Sequence, residues 1–251
     1  MLTRAQLLQI DAEVGERRGW DFSRVQDDID PVPWRYSAVV RAYVQPGNAV
    51  LDLGTGGGER FRKVAAAVRR AVGVDLDRAA LDVARRVGHS ADLVQARGQA
   101  LPFPAACFDV VLSRHAPVWI AEAARVLRPG GVFVTQQIGP ENAANIGAVF
   151  GCEARAAYAC APDQQIAAWA GELRARGFAI RAQGAYNVPY FYCDAASLVF
   201  WLKAIPVPAD FEMARHWEQV ARIIDGSQSP RGIATNVHRE LLVAQKPSQQ
   251  V

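Results

Sequence analysis

Between residues 48 and 59 the chain reads Asn48-Ala49-Val50-Leu51-Asp52-Leu53-Gly54-Thr55-Gly56-Gly57-Gly58-Glu59. A short, continuously apolar run of this kind has the look of a strand buried on both faces of a parallel sheet. The glycines that end it let the chain turn tightly and let a ligand approach the backbone. A helix is expected over Glu59–Arg70, with Phe61, Val64, Ala65 and Val68 on one face. The rhythm then repeats. Strands are expected at Ala71–Asp75, Asp92–Gln95, Phe108–Ser113 and Gly131–Gln136, with helices at Arg78–Val87 and Trp119–Val126. A helix around Asp163–Arg176, a strand at Phe178–Gln183 and a closing strand at Thr235–Ala244 continue it. Such alternation defines a doubly wound α/β sheet.

Two stretches break the alternation. Leu2–Val44 reads as helical pieces interrupted around Asp30-Pro31-Val32-Pro33, and Asp194–Ala204 and Phe211–Ile224 read as helices. The expected organisation is one domain in four parts: an N-terminal helical lid at 1–45, a core at 46–190, a helical insertion or cap at 191–232, and the last strand with its tail at 233–251.

Composition narrows the class. The chain of 251 residues is 51% hydrophobic and 21% charged, enough to bury a large core and unlike a disordered segment. Its apolar runs, such as 105–112 and 195–202, stop short of the roughly 20 residues a membrane span needs. Met1 to Arg18 carries charge throughout, so no signal peptide is expected and a soluble cytoplasmic protein is. A net charge of +3 is slight for a nucleic-acid footprint. Cys107, Cys152, Cys160 and Cys193 form no C-x-x-C pair, so neither a zinc site nor a disulfide framework is expected, and no metal.

The glycine loop admits two readings, a nucleoside-binding turn or a plain strand–helix turn. Asp75, closing the next strand, favours the first, because a carboxylate there accepts both ribose hydroxyls of an adenosine. A dinucleotide fingerprint fits poorly: Gly54 and Gly56 are in place, but Glu59 stands where the third glycine belongs and would oppose a pyrophosphate. No Gly-Lys-Ser or Gly-Lys-Thr occurs, which excludes a P-loop.

From about 48 to 136 the chain resembles the class I S-adenosylmethionine-dependent methyltransferases. The resemblance rests on Val50–Glu59, Gly73-Val74-Asp75-Leu76-Asp77, Leu101-Pro102-Phe103, Phe108–Ser113 and Arg125-Val126-Leu127-Arg128-Pro129-Gly130-Gly131, in order. It implies a seven-stranded, mostly parallel sheet whose last strand is antiparallel. It implies S-adenosylmethionine as cofactor, with Asp52, Gly54, Thr55 and Gly56 around its methionine part, Asp75 on the ribose and Leu76 on the adenine. Gly98, Gln99 and Ser113 complete the implied cofactor set. One position departs from the pattern: Arg97 occupies the slot where an acidic residue would accept from the adenine amino group. Arginine has no acceptor to offer, so Gln99 or a backbone carbonyl takes the contact, or binding is weaker than usual.

Methyl transfer from a sulfonium is an in-line displacement that needs alignment, exclusion of water and, for a hydroxyl or protonated amine, a base. The residues after the fourth strand should face that point, making His115 the candidate base or orienting group and Arg114 a candidate for an acidic substrate group. Gln136, ending the fifth strand, is a candidate substrate donor. Trp34 and Tyr36 before the core, and Tyr190 in the late segment, are candidate walls of an apolar acceptor pocket. Asn187-Val188-Pro189-Tyr190 follows the wrong strand for the box of enzymes that methylate amino groups of nucleobases and reads as a strand exit. The expectation is methyl transfer to oxygen or nitrogen of a small-molecule acceptor, in specialised metabolism, by a monomer or homodimer without nucleic acid or membrane as partner. An RNA or protein methyltransferase, and a non-catalytic cofactor-binding regulatory or scaffold subunit, stay open as alternatives.

Overall fold

In the computed structural model the alternation along Ala49-Val50-Leu51-Asp52-Leu53 is that of a strand with a helical layer on each side. Ala49, Leu51 and Leu53 join one apolar cluster and Val50 joins another. The structure describes residues 2–16, 20–86, 88, 90–151, 166–205 and 207–248. Val87, His89, Cys152, Cys160, the start of the helix expected from Asp163 and the end of the tail lie outside them.

Among the described residues the elements are α1 (Arg4–Val14), β1 (Asp27–Ile29), α2 (Tyr36–Tyr43), β2 (Ala49–Leu53), α3 (Arg62–Ala65), β3 (Arg70–Asp75), α4 (Arg78–Arg86) and β4 (Asp92–Gln95). Then come β5 (Phe108–Arg114), α5 (Ile120–Val126), β6 (Leu127–Ile138), α6 (Ala144–Phe150), α7 (Ile166–Ala175), β7 (Ala179–Tyr192), α8 (Ala195–Ala204), α9 (Met213–Gly226), β8 (Gln228–Ser229) and β9 (Gly232–Gln245). The chain divides into two compact units. The first takes Met1–Pro33, Ile138–Ala159 and Ala185–Arg239; the second takes Trp34–Gln137, Cys160–Gly184 and Glu240–Val251.

The second unit holds the parallel sheet. Strand order runs β7-β9-β6-β5-β2-β3-β4. Register aligns the carboxyl ends: Leu53 lies beside Val74 and Ser113, Arg114 beside Gln136, and Asp75 beside Gln95. Lys246 N donates to Gly131 O at 2.9 Å and Gly130 N to Lys246 O at 3.2 Å, so the end of β9 meets the start of β6 and the last strand is antiparallel. On one face, Leu51, Val111 and Phe133 pack with Ala123, Trp169 and Leu173 of α5 and α7. On the other, Val50, Val110 and Val134 pack with Val40, Phe61 and Ala65. Burying each large apolar side chain stabilises the sheet by about 2 kcal/mol.

The first unit is built on α1, α8 and α9, whose Leu7, Leu198, Leu202, Val220 and Ile224 enclose Tyr192. Asp194 caps α8 by accepting from Ser197 N at 2.7 Å. Within this unit β1 pairs antiparallel with the end of β7, Ile29 opposite Tyr190, and β8 pairs with β9.

Several boundaries differ from expectation, each for a tertiary reason. Among the described residues the sheet has nine strands rather than seven; the additions, β1 and β8, are short pieces formed by pairing on β7 and β9. The segment 2–44 is therefore not all helical. The helix expected over Glu59–Arg70 is only α3, because the chain must enter β3 by Arg70; Phe61 and Ala65 are still buried as its inner face required. Strand β7 continues through Asn187-Val188-Pro189-Tyr190 to Tyr192 instead of ending there, and Pro189 offers its carbonyl to Asp30 N at 3.1 Å.

Candidate functional site

Where β2 ends, the backbone turns on Gly54, with φ of 73°, and Gly56, with φ of 57°. Both angles lie in the left-handed region that only glycine adopts cheaply. Gly54 has a second constraint, since a Cβ on it would lie 2.2 Å from the Ala116 Cβ. The loop is tied to β3: Gly54 N and Thr55 N both donate to Val74 O, at 2.8 and 3.0 Å. The Asp75 carboxylate accepts from Gly56 N at 2.7 Å with one oxygen and from Asp77 N at 2.9 Å with the other. Each carboxylate oxygen has a second lone pair, so Asp75 can organise the glycine loop and still accept from a ligand hydroxyl.

Leu76 follows, 63% exposed. An exposed leucine beside a carboxylate at the carboxyl edge of a parallel sheet costs apolar hydration and makes a flat apolar seat next to a hydroxyl acceptor. From β4, Ala96 N donates to Asp75 O at 3.1 Å and Gln95 Nε2 to Leu76 O at 3.0 Å. Gly98 and Gln99 therefore leave the sheet next to Leu76, and Arg97 and Gln99 are exposed.

Asp52 lies on the α2 side of β2, where its neighbours are Thr55, Asp75, Arg114 and Tyr36. Burial pushes its carboxyl up to about 7; the Thr55 hydrogen bond opposes this, the Asp75 charge adds to it and Arg114 opposes it. Burial likewise raises the Tyr36 phenol, Asp52 raises it further and Arg114 lowers it. The Arg114 guanidinium carbon is 5.9 Å from the Tyr36 ring centroid, and Tyr36 OH points at Ser113 O at 3.4 Å. Ser113 is fully buried, its hydroxyl donating to Ala116 O at 3.4 Å. Trp34 Nε1 donates to Gln136 Oε1 at 3.1 Å.

His115 is half-buried and sits in the left-handed region at φ 55°, its N–H donating to Gln136 O at 3.0 Å. Such a conformation costs a non-glycine residue about 1 kcal/mol or more and concentrates at functional sites. Asparagine tolerates this conformation and β-branched residues do not. His115→Asn is therefore expected to melt within about 2 °C of wild type, and His115→Val several degrees lower, by thermal denaturation at matched pH.

The carboxyl ends of β2, β3, β5 and β6 thus gather Asp52, Gly54, Thr55, Gly56, Asp75, Leu76, Ser113, Arg114, His115 and Gln136, with Trp34 and Tyr36 delivered by the start of α2. Tyr190 belongs to the first unit, hydrogen-bonded to Asp27 and 5.1 Å from the Tyr192 ring. Sequence reasoning missed Gln137, buried and donating to Thr135 Oγ1 at 2.8 Å and Ala116 O at 3.2 Å. It also missed Trp119, Glu122 and Arg125, whose side chains meet the segment 98–103. The i,i+3 acid–base spacing of the last two was the available signal. Among the described residues no group of three or more His, Cys, Asp or Glu is placed to hold a metal, and no helix is long and apolar enough to cross a membrane.

A sheet in this order, with a glycine loop after its first core strand and an acid after the second, fits the fold that the sequence resemblance implied. Residues 51–135 match the methyltransferase domain family. A fatty-acid O-methyltransferase of Mycolicibacterium smegmatis is 37% identical over 110 residues, 39% of this chain and 40% of that protein. A demethylmenaquinone methyltransferase of Tropheryma whipplei is 33% identical over 132 residues, 49% of this chain and 54% of that one. The chain thus spans about half the length of these relatives. In fold it is similar to the YcgJ protein of Bacillus subtilis, with a TM-score of 0.60 and 18% identity over 85% of this chain and 98% of the other.

Proposed function

We propose that this chain transfers a methyl group from S-adenosylmethionine to an oxygen or nitrogen of a small-molecule acceptor. The observation that carries the reading is the adjacency of Asp75 and the exposed Leu76 beside the glycine loop, with a carboxylate for ribose hydroxyls and an apolar seat for the base. The residues fit that cofactor: the loop leaves no room for a side chain at Gly54 and brings backbone close, and the Asp52 carboxylate suits a cationic amino-acid end. When bound, the cofactor supplies an electrophilic methyl group on a sulfonium.

The chain's own residues do the rest. Asp52, Gly54, Thr55 and Gly56 surround the methionine part; Asp75 holds the ribose; Leu76 with the backbone of Gly98 and Gln99 takes the base. Ser113 acts through its carbonyl, fixing Tyr36. Trp34 and Tyr36 wall the acceptor, Gln136 orients it, Arg114 meets an acidic group on it, and the His115 imidazole takes the acceptor's proton. The relatives named for a fatty acid and for demethylmenaquinone support a largely apolar acceptor.

The test is incubation with cofactor carrying a labelled methyl group and a panel of fatty acids, hydroquinones, phenols and amines, with bulk tRNA and a protein extract alongside. Label in a small molecule supports the reading, and label only in RNA or protein contradicts it. His115→Asn is expected to lower turnover about 100-fold with unchanged cofactor affinity, as loss of a general base does.

A further inference from the structure

The missing acid at Arg97 raises the question of what reads the adenine edge, and α5 answers it. Leu101 N donates to Glu122 Oε2 at 2.7 Å. Arg125 donates to Phe103 O at 2.7 Å and to Leu101 O at 3.1 Å. The two side chains are joined to each other by bonds of 2.6 and 2.8 Å, and Arg125 holds the Glu122 carboxyl below the usual carboxylate range. One residue before the helix, the Trp119 ring closes on Gly98, where a Cβ would lie 2.4 Å from a ring carbon. Ala100 N donates to Arg97 O at 3.1 Å, making a turn of the intervening residues. Three side chains, from Trp119 at the N-cap and from Glu122 and Arg125 of α5, therefore grip both ends of 98–103.

Charge-assisted hydrogen bonds to backbone are stronger and geometrically stricter than neutral ones. This loop leaves the sheet beside Asp75 and Leu76. Arg97 offers only donors, so an exocyclic amino group must find its acceptor on the backbone or on Gln99. A backbone can discriminate between amino and oxo groups only if it is held still.

We propose that Trp119, Glu122 and Arg125 are positioning residues that hold the 98–103 backbone as the base-reading element of the cofactor site, in place of an acidic side chain. This rests on the reading of the site as an S-adenosylmethionine site. Specificity for adenine then comes from loop geometry, and loosening the pair relaxes it without touching the ribose contact.

The experiment is calorimetric titration of the full chain with S-adenosylhomocysteine and with S-inosylhomocysteine, which carries an oxo group in place of the adenine amino group. Wild type is expected to prefer the adenine compound by about tenfold or more, the size of one properly placed hydrogen bond. In Glu122→Gln and Arg125→Met the preference falls to about twofold, and Arg125→Lys restores part of it. Gly98→Ala, which displaces Trp119 and leaves the ion pair in place, gives the same loss and serves if the first two variants do not fold. A lowered melting temperature with an unchanged preference makes the pair a structural brace and overturns the proposal. Failure of wild type to bind S-adenosylhomocysteine overturns the reading of the site and this inference with it.

Discussion

Gly54→Ala is expected to lower stability by about 3 kcal/mol and to weaken cofactor binding at least 100-fold. Two costs combine. The left-handed φ of 73° charges an L-residue roughly 1 kcal/mol, and the new methyl group would lie 2.2 Å from the Ala116 Cβ. The loop cannot move aside, because Gly54 N and Thr55 N are both bonded to Val74 O in β3. In a chain this long the loss corresponds to a melting temperature lower by roughly 6–12 °C. The double variant Gly54→Ala, Ala116→Gly removes the collision and keeps the strained φ. It is expected to recover about half the stability, and calorimetric titration reads how much binding returns. Wild-type melting and binding in Gly54→Ala alone would show that the turn is not built as described.

The second large effect concerns Asp52, whose carboxyl is pushed up to about 7 from an unfolded value of 3.8 by burial in the first place. Below the unfolded value both states are protonated and the residue is neutral to stability. As pH rises through 4 to 7 the unfolded chain releases the proton and the folded chain retains it, so folded stability falls across that window and levels off above it. Asp52→Asn is therefore expected to raise stability at pH 8, by on the order of 2 kcal/mol given that the residue is only half-buried, and to change little at pH 4. A cation bound beside Asp52 favours the ionised form. Cofactor affinity is accordingly expected to rise from pH 5.5 to 7.5, with proton release read as a binding heat that depends on the buffer's ionisation enthalpy. Binding heats independent of buffer at pH 6.5 would place the cation elsewhere.

Much of the second unit was legible because its information is local. The apolar runs of β2, β3 and β5, each closed by glycine, aspartate or serine, state both their burial and their direction. Glycine, aspartate and leucine at 54, 75 and 76 report backbone geometry and ligand chemistry in the same few letters. What escaped depends on partners far along the chain. Asp27-Asp28-Ile29 begins with two residues depleted in strands and becomes β1 by pairing with the edge that Tyr190–Tyr192 offers. The same pairing carries β7 past Pro189, where a proline reads as an exit. Tyr36 reaches Asp52 through the docking of α2, which no periodicity encodes. The Glu122–Arg125 pair reads as an ordinary exposed i,i+3 ion pair until Leu101 and Phe103 are seen beneath it.

The most direct measurement is calorimetric titration of wild type and Asp75→Ala with S-adenosylmethionine and S-adenosylhomocysteine. Asp75 bonds the glycine loop through Gly56 and is the one ribose acceptor assigned here, so the substitution should remove both. The expected result is micromolar binding of both compounds by wild type and none detectable in a variant that still unfolds cooperatively. Equal binding by the two proteins, or none by wild type, would contradict the account.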